Sequence, residues 1–356
     1  MTDQTAPGPG AGGIGILGTG SYLPEAKISN EPVAERAGVT DEWIQRKTGI
    51  RARRYAAAEE ATSDLAVHAA RAALDSAGIR ADELGWIVVA TSTPDHPQPA
   101  TACLVQDRLG ATRAAAFDIN SVCSGFVFAL VTMAGLLADG STGTTRAPLG
   151  LVIGADIYSR IIDPADRRTA ILFGDGAGAV VLGPVPAGQG IVGSHLASHG
   201  ASHDLIHVRA GGSRAPASAA TVTEGGHFFR MNGRAVFEYV QQELPRAVSE
   251  VLDAFDVGPE EVDHFIPHQA NGVLLGQIVP TLGLPRARTH LTVAEHGNTS
   301  ASSIPLALDE ANRQGAFKDG DLLLLAGFGG GMSIGATLLR WTGSASGTDL
   351  PFGAAA

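Results

Sequence analysis

Cys123 lies in the stretch DINSVCSGF (118–126), among Asn120, Ser121, Ser124 and Gly125, directly ahead of the apolar run FVFALVTMAGLLA. A helix that is apolar on every side is a buried helix. Its first turn carries unpaired N–H groups and the positive end of the helix dipole. A thiol placed there is expected to have a lowered pKa, and the thiolate is the nucleophile. The same N–H groups can hold a developing oxyanion. The competing reading is a small hydrophobe filling a core, the commoner role of a free cysteine. Residue type and neighbours leave both open.

Three further stretches carry chemistry of their own. His268 in IPHQAN (266–271) follows an apolar strand and opens a helix, the position of a strand-end site; a structural histidine is the alternative. Other histidines, such as His195, His199, His203 and His207, show no zinc-binding spacing, so no metal is expected. Asn298 in HGNTSASSIP (296–305) is either a helix N-cap or a free side-chain donor. GFGGG (327–331) ends an apolar strand with glycines that allow a close backbone approach, or simply a turn. Gly13-x-Gly15-x-x-Gly18 fits a dinucleotide fingerprint. Only a Gly-rich tail precedes it, and SYLP follows where a helix is required, so no nucleotide cofactor is expected.

The elements that must position these residues alternate between short apolar runs and helical runs. Strands are expected at 13–20, 86–92, 114–120, 149–155, 178–183, 190–198, 264–267, 321–329 and 335–341, and helices at 62–78, 99–109, 124–139, 233–255, 270–282 and 301–314. The alternation predicts an α/β fold with buried sheets. The order of elements also repeats. ALDSAGIRADELGWIVVA (73–90) parallels VLDAFDVGPEEVDHFIPH (251–268), and LGLVIGA parallels LLLLAGFG. DINSVCSGF parallels AEHGNTSAS, each a turn into a helix that runs to a glycine, Gly140 and Gly315. A duplicated unit of this kind would set Cys123 and Asn298 at equivalent helix starts on opposite sides of one cleft. The predicted organisation is a tail over 1–13, halves over 14–185 and 186–342, and a tail over 343–356.

Composition bounds the possibilities. A chain of 356 residues with 44% hydrophobic residues is long enough for two packed halves. The net charge of −11 argues against nucleic acid as a partner. No apolar run is long enough for a confident membrane span, and the first residues lack the basic and apolar regions of a secretory signal. Cys103 and Cys123 are the only cysteines, too few for a disulfide framework, which fits a reducing cytoplasm.

Taken in order, SVCSGF, PHQAN, HGNTSASSIP and GFGGG resemble the type III β-ketoacyl-acyl-carrier-protein synthases of the thiolase superfamily, a group that includes priming ketosynthases of polyketide pathways. DEWIQRKTGIRAR (41–53) and FGDGAGAVVL (173–182) extend the match across nearly the whole chain. The resemblance implies a thiolase-like five-layer αβαβα fold, a cytoplasmic homodimer and a Cys123–His268–Asn298 triad. Cys123 would be acylated by acyl-CoA. His268 and Asn298 would serve the decarboxylation of malonyl-acyl-carrier protein, whose enolate attacks the Cys-bound thioester. The N–H groups of Cys123 and Gly330 would form the second oxyanion hole. No cofactor is implied beyond acyl-CoA as substrate. Trp43 and Arg167 match the family's contacts to the adenine of CoA, and Lys47 stands where other members have an arginine.

Two departures bear on specificity. Glu238 occupies the place of a carrier-docking lysine, with Arg234 and Arg246 nearby, and GVLLGQ replaces a basic residue just after PHQAN. The loop PDHPQPATAC (94–103) lacks the aromatic residue other members place near Gln98. In the family that loop, here with Pro97 and Gln98, lines the partner's acyl pocket, so a primer larger than acetyl is expected. The rival readings are an acyltransferase that moves the acyl group to a hydroxyl, and a non-catalytic dimer partner. Retention of Asn298 and of the complete triad argues against both. A degradative thiolase would need a second late cysteine, and none follows Cys123.

Overall fold

The computed structural model describes residues 13–138 and 148–343. Its first half runs β1 (Gly13–Tyr22), β2 (Ala26–Ser29), α1 (Asn30–Ala37), α2 (Asp41–Thr48), β3 (Ala52–Tyr55), α3 (Thr62–Ala77), β4 (Trp86–Ala90), α4 (Thr101–Leu109), β5 (Ala115–Ile119), α5 (Gly125–Ala138), β6 (Gly150–Asp156) and β7 (Gly176–Val185). The second runs β8 (Gly190–Ser198), β9 (Ile206–Val208), α6 (Ala219–Thr223), β10 (Phe229–Met231), α7 (Gly233–Ala254), β11 (His264–Pro267), α8 (Gly272–Ile278), β12 (Arg288–Thr289), α9 (Val293–His296), α10 (Ser303–Arg313), β13 (Leu322–Gly329) and β14 (Ser333–Arg340).

The two large sheets have one topology. The first is ordered β1-β7-β6-β4-β5 and the second β8-β14-β13-β11-β12. In each, the central strands pair in parallel and the hairpin and outer strand antiparallel. Such sheets must cover both faces. Helices α3 and α4 pack Leu65, Ala69, Ala73 and Val105 on one face of the first sheet against Ile87, Val89, Leu151 and Ile153. The opposite faces of both sheets close on α5 and α10: Phe126, Leu130, Met133, Ile304 and Leu308 pack with Val88, Val152, Ile266, Leu323 and Leu325. Helices α7 and α8 cover the far side of the second sheet through Leu244, Val248, Val251 and Ile278. The result is the expected five-layer αβαβα arrangement. It also explains why α5 is apolar on all sides, since a sheet flanks it on either hand.

Several boundaries differ from those expected. The helix expected over 270–282 is shorter, because Asn271 caps α8 through its Oδ1, which accepts from Val273 N and Leu274 N at 2.8 and 3.1 Å. A separate 3-10 turn with Pro280 follows at Val279–Thr281. The helix expected from 99 begins at Thr101, where the Asp118 carboxylate accepts from Thr101 N and Ala102 N at 2.7 and 2.8 Å. Segment 26–55, absent from the expected elements, forms the hairpin β2–β3 enclosing α1 and α2. Of the expected tails, Gly13 is already strand, paired with Val185, and Gly343 N donates to Asp319 Oδ1 at 2.8 Å. Their remaining residues, and Gly140, lie outside the described residues.

Candidate active site

Cys123 sits in a 3-10 turn, Val122–Ser124, that leads straight into α5. Three serines clamp this turn to the β13–β14 hairpin. Ser124 Oγ lies 2.8 Å from Ser333 Oγ, and Ser121 Oγ lies 3.0 Å from both. Val122, a β-branched residue, is held at φ 47°, a conformation such residues rarely adopt and that surrounding contacts must enforce. The GFGGG stretch explains itself here. A Cβ at Gly329 would lie 2.7 Å from Cys123 N, so only glycine lets β13 pass this close to the Cys123 backbone. Gly330 follows, buried against Val122 and Ile206.

Asn298 lies two residues ahead of the equivalent turn of the second half, Ser300–Ser302; with Val122 and Ser300 matched at positive φ, the position equivalent to Cys123 is Ala301 and not, as expected, Asn298. Its backbone is stitched to the first half: Asn298 N donates to Leu172 O at 2.8 Å, and Gly174 N donates to Asn298 O at 3.0 Å. FGDGAG therefore supplies a socket. A Cβ at Gly174 would fall within 2.3 Å of His296 O. Asn298 Oδ1 accepts from Ser300 N at 2.8 Å, holding Ser300 at φ 54°. That in turn sets Ser300 Oγ 3.5 Å from Cys123 Sγ.

His268 stands at the C-terminal end of β11, its N–H bonded to Ala326 O at 2.8 Å. The ring lies edge-on to Phe328, and Nδ1 is 2.7 Å from Ser303 Oγ. The segment 298–303 thus touches both Cys123 and His268 and brings the three expected residues to one place. All are buried, at 7%, 1% and 5% exposure for Cys123, His268 and Asn298. Among the described residues neither His268 Nε2 nor Asn298 Nδ2 has a hydrogen-bond partner.

Burial dominates the electrostatics. Desolvation pushes His268 down to about 3, so it is neutral over the working pH range. Desolvation also pushes the Cys123 thiol up to about 12; the Ser300 hydroxyl pulls the other way, and the Asp156 carboxylate adds to the rise. The expected lowering at a helix start is corrected. Removing a thiolate from water costs more here than the hydrogen bonds from Ser300 and the backbone return.

Asp156 and Ser300 carried no separate signal in the sequence. Asp156 is fully buried at the end of β6. Its Oδ1 accepts from Thr93 Oγ1 and Ser92 N at 2.8 and 2.9 Å, and from Thr91 Oγ1, Ser92 Oγ and Thr93 N at 3.1 Å. Its Oδ2 accepts from Ala301 N at 3.1 Å. Desolvation raises its pKa against these bonds. It ties the loop leading to Pro97 and Gln98 to the turn that touches Cys123. Ser300 and Ser303 were within reach of sequence reasoning, inside HGNTSASSIP. Nothing local marks Asp156, whose donors come from two distant segments.

The other expected residues lie outside this cluster. Trp43 is half-buried and Lys47 exposed on α2, whose end docks on α8 through Asn271 Nδ2 to Lys47 O at 3.1 Å. Arg167 is exposed in the loop between β6 and β7. Next to it opens a cleft of about 970 Å³, lined by Arg168, Arg230 and Arg234 with Asp163, Asp166 and Asp204 among others. Arg230 is already paired with Asp163 at 3.1 Å. Pro97 and Gln98 are exposed ahead of α4.

The sequence profile of 3-oxoacyl-[acyl-carrier-protein] synthase III matches residues 117–200, and that of the C-terminal part of the same enzyme matches residues 252–341. The chain is 53% identical over 328 residues to the acetoacetyl CoA synthase NphT7 of Streptomyces sp. (strain CL190), covering 92% of this chain and 98% of that protein. It is 48% identical over 330 residues to the β-ketoacyl-[acyl-carrier-protein] synthase III of Rhodospirillum centenum, with the same coverage. Among solved structures, the priming β-ketosynthase of the R1128 polyketide pathway superposes with a TM-score of 0.85 at 32% identity, over 95% of this chain and 98% of that one.

Proposed function

The chain belongs to the 3-oxoacyl-[acyl-carrier-protein] synthase III family, and from that premise we propose how its residues divide the reaction. It is a decarboxylating condensing enzyme that starts fatty-acid or polyketide chains. Cys123 Sγ attacks the thioester carbonyl of an acyl-CoA, and CoA leaves as its thiol with the proton. The malonyl extender then loses CO₂, and the bonding pair becomes an enolate. The enolate oxygen accepts from His268 Nε2–H and Asn298 Nδ2–H. Neutral donors suit this task, because they stabilise the oxyanion without quenching it by proton transfer. The enolate carbon attacks the acyl carbon, Cys123 leaves as thiolate, and the N–H groups of Cys123 and Gly330 hold the intermediate oxyanion.

One observation carries the reading: a single segment, 298–303, holds Ser300 against the Cys123 thiol and Ser303 against His268. Trp43, Lys47 and Arg167 are taken as CoA contacts on the family match alone. The halves are taken as 14–185 and 186–342, meeting between β7 and β8. A homodimer is proposed because β5, with Ala115, Ala116 and Phe117 half-buried, forms the outer strand of its sheet. Both cysteines are free thiols, in keeping with the cytoplasm, and among the described residues no helix is long and apolar enough to cross a membrane.

A second reading concerns the extender's carrier. Malonyl-acyl-carrier protein is the family's extender, yet the basic groups that would receive an acidic carrier are engaged. Arg234 is bonded to Glu238 at 2.9 Å, and Arg246 to Glu250 at 2.7 Å. One relative is named for a CoA-bound product. Malonyl-CoA as extender fits both observations. Intact protein mass after incubation with equimolar acyl-CoAs identifies the primer on Cys123. Carbon dioxide release on adding malonyl-carrier protein or malonyl-CoA then identifies the extender. Absence of a Cys123 adduct, or of CO₂ with both extenders, would sink the assignment.

A further inference from the structure

We propose that Ser303 fixes His268 in the tautomer that carries its proton on Nε2, making Ser303 a positioning residue for decarboxylation. The inference rests on the reading of His268 as a hydrogen-bond donor to the enolate.

Ser303 is the first residue of α10 and is 1% exposed. Its hydroxyl oxygen accepts from Gln269 N at 3.2 Å and lies 2.7 Å from His268 Nδ1. A serine hydroxyl has one proton to donate. The partner at 3.2 Å is itself a donor, so among the described residues His268 Nδ1 is the acceptor left for that proton. The opposite tautomer would aim two N–H groups at Ser303 Oγ and leave its own proton unsatisfied in a buried place, which folded proteins avoid. Nδ1 therefore accepts, and the ring proton resides on Nε2. That is the nitrogen left without a partner among the described residues. The edge-on Phe328 ring, 5.0 Å from the imidazole centre, opposes the ring flip that would put Cδ2 in place of Nδ1 against Ser303. Gln269 closes the assembly. Its side-chain N–H groups donate to Pro267 O and His290 O at 2.7 and 3.1 Å, so the residue whose N–H orients Ser303 is itself immobile.

Histidine tautomers are read by two-bond ¹H–¹⁵N correlation spectra of protein labelled in its histidines, the His268 signals being those lost in His268→Ala. The expected result for the unmodified enzyme at neutral pH is the Nε2–H pattern; an Nδ1–H pattern overturns the proposal. In Ser303→Ala the tautomer loses its anchor. Malonyl decarboxylation should then fall about 10- to 100-fold in kcat, short of the loss on deleting a donor outright. Cys123 acylation and KM for the extender are retained, and Ser303→Thr, which restores the hydroxyl, recovers most of the rate. Equal losses in both half-reactions of Ser303→Ala would overturn it, as would an unaltered decarboxylation rate. Normal decarboxylation by His268→Ala removes the role of His268 itself, and so separates the two failures.

Discussion

The turns ahead of α5 and α10 occupy equivalent places in two sheets of one topology, yet they present different side chains. Each is a single 3-10 turn entering a helix between the sheets, with a non-glycine residue at positive φ, Val122 in one and Ser300 in the other. The first presents the Cys123 thiol, the proposed nucleophile. The second presents only neutral hydrogen-bonding groups: Asn298 and Ser300 directly, and His268 through Ser303. Burial acts on both sides in the same sense. It raises the acid Cys123 and lowers the base His268, and so favours the uncharged form of each. On the assignment proposed above, the duplicated frame divides labour by side chain, not by backbone: one turn would form the covalent bond, and the other would stabilise charge that exists only transiently.

The largest test of this division is Cys123→Ser. Stable acylation from acyl-CoA should fall below detection with the fold intact by circular dichroism. A persisting adduct, or one mapped to Cys103, would contradict the assignment of the first turn. Next comes Asn298→Ala. Decarboxylation should fall about 10²–10³-fold, the usual cost of one oxyanion donor, while acylation falls much less. If single-turnover measurements give equal losses, the two turns do not divide the steps. A smaller effect is expected for Ser300→Ala, which removes the hydroxyl at 3.5 Å from Sγ. Acylation should slow about tenfold, the worth of a hydrogen bond to a developing thiolate. In the unmodified enzyme, alkylation of Cys123 by iodoacetamide should rise about tenfold per pH unit across neutrality without levelling, because a thiol pushed up to about 12 is far from half-ionised there. A plateau near pH 8 would show that the thiolate is better stabilised than its burial implies.

The smallest effect concerns stability and belongs to the second half alone. His268 titrates near its ordinary 6.5 when unfolded and at about 3 when folded. The unfolded chain therefore binds more protons over that window, and the stability contribution present above pH 6.5 is lost as pH falls. The slope is at most about 1.4 kcal/mol per unit for one group. Urea midpoints of His268→Gln should depend less steeply on pH between about 6 and 4 than those of the parent. Parallel curves would remove His268 as the group responsible. Asp175, raised to about 6, acts in the opposite direction below that pH and is common to both proteins.

Most strands and long helices could be placed from the sequence, because their apolar residues recur at the period of the element they form. β8 and β11 match the expected ranges, and α5 betrays its double-sided burial by having no polar face. The repeat in element order anticipated the matching sheet orders, and the motifs around Cys123, His268 and Asn298 drew attention to three stretches that the fold brings into contact through segment 298–303. The arm 26–55 was less legible, since its two eight-residue helices bury only a few residues each, Ile44 and Thr48 in α2. Tertiary structure alone decided the rest. Whether the Cys123 thiol is raised or lowered depends on how completely two sheets and a second turn exclude water, a sum over distant residues that no local pattern encodes. The Asp156 junction joins 91–93 to 301, and His268 Nδ1 meets the hydroxyl of Ser303, 35 positions along the chain. Sequence periodicity reports the face a residue buries. Hydrogen-bond direction and desolvation are set by the groups that meet it after the halves have closed.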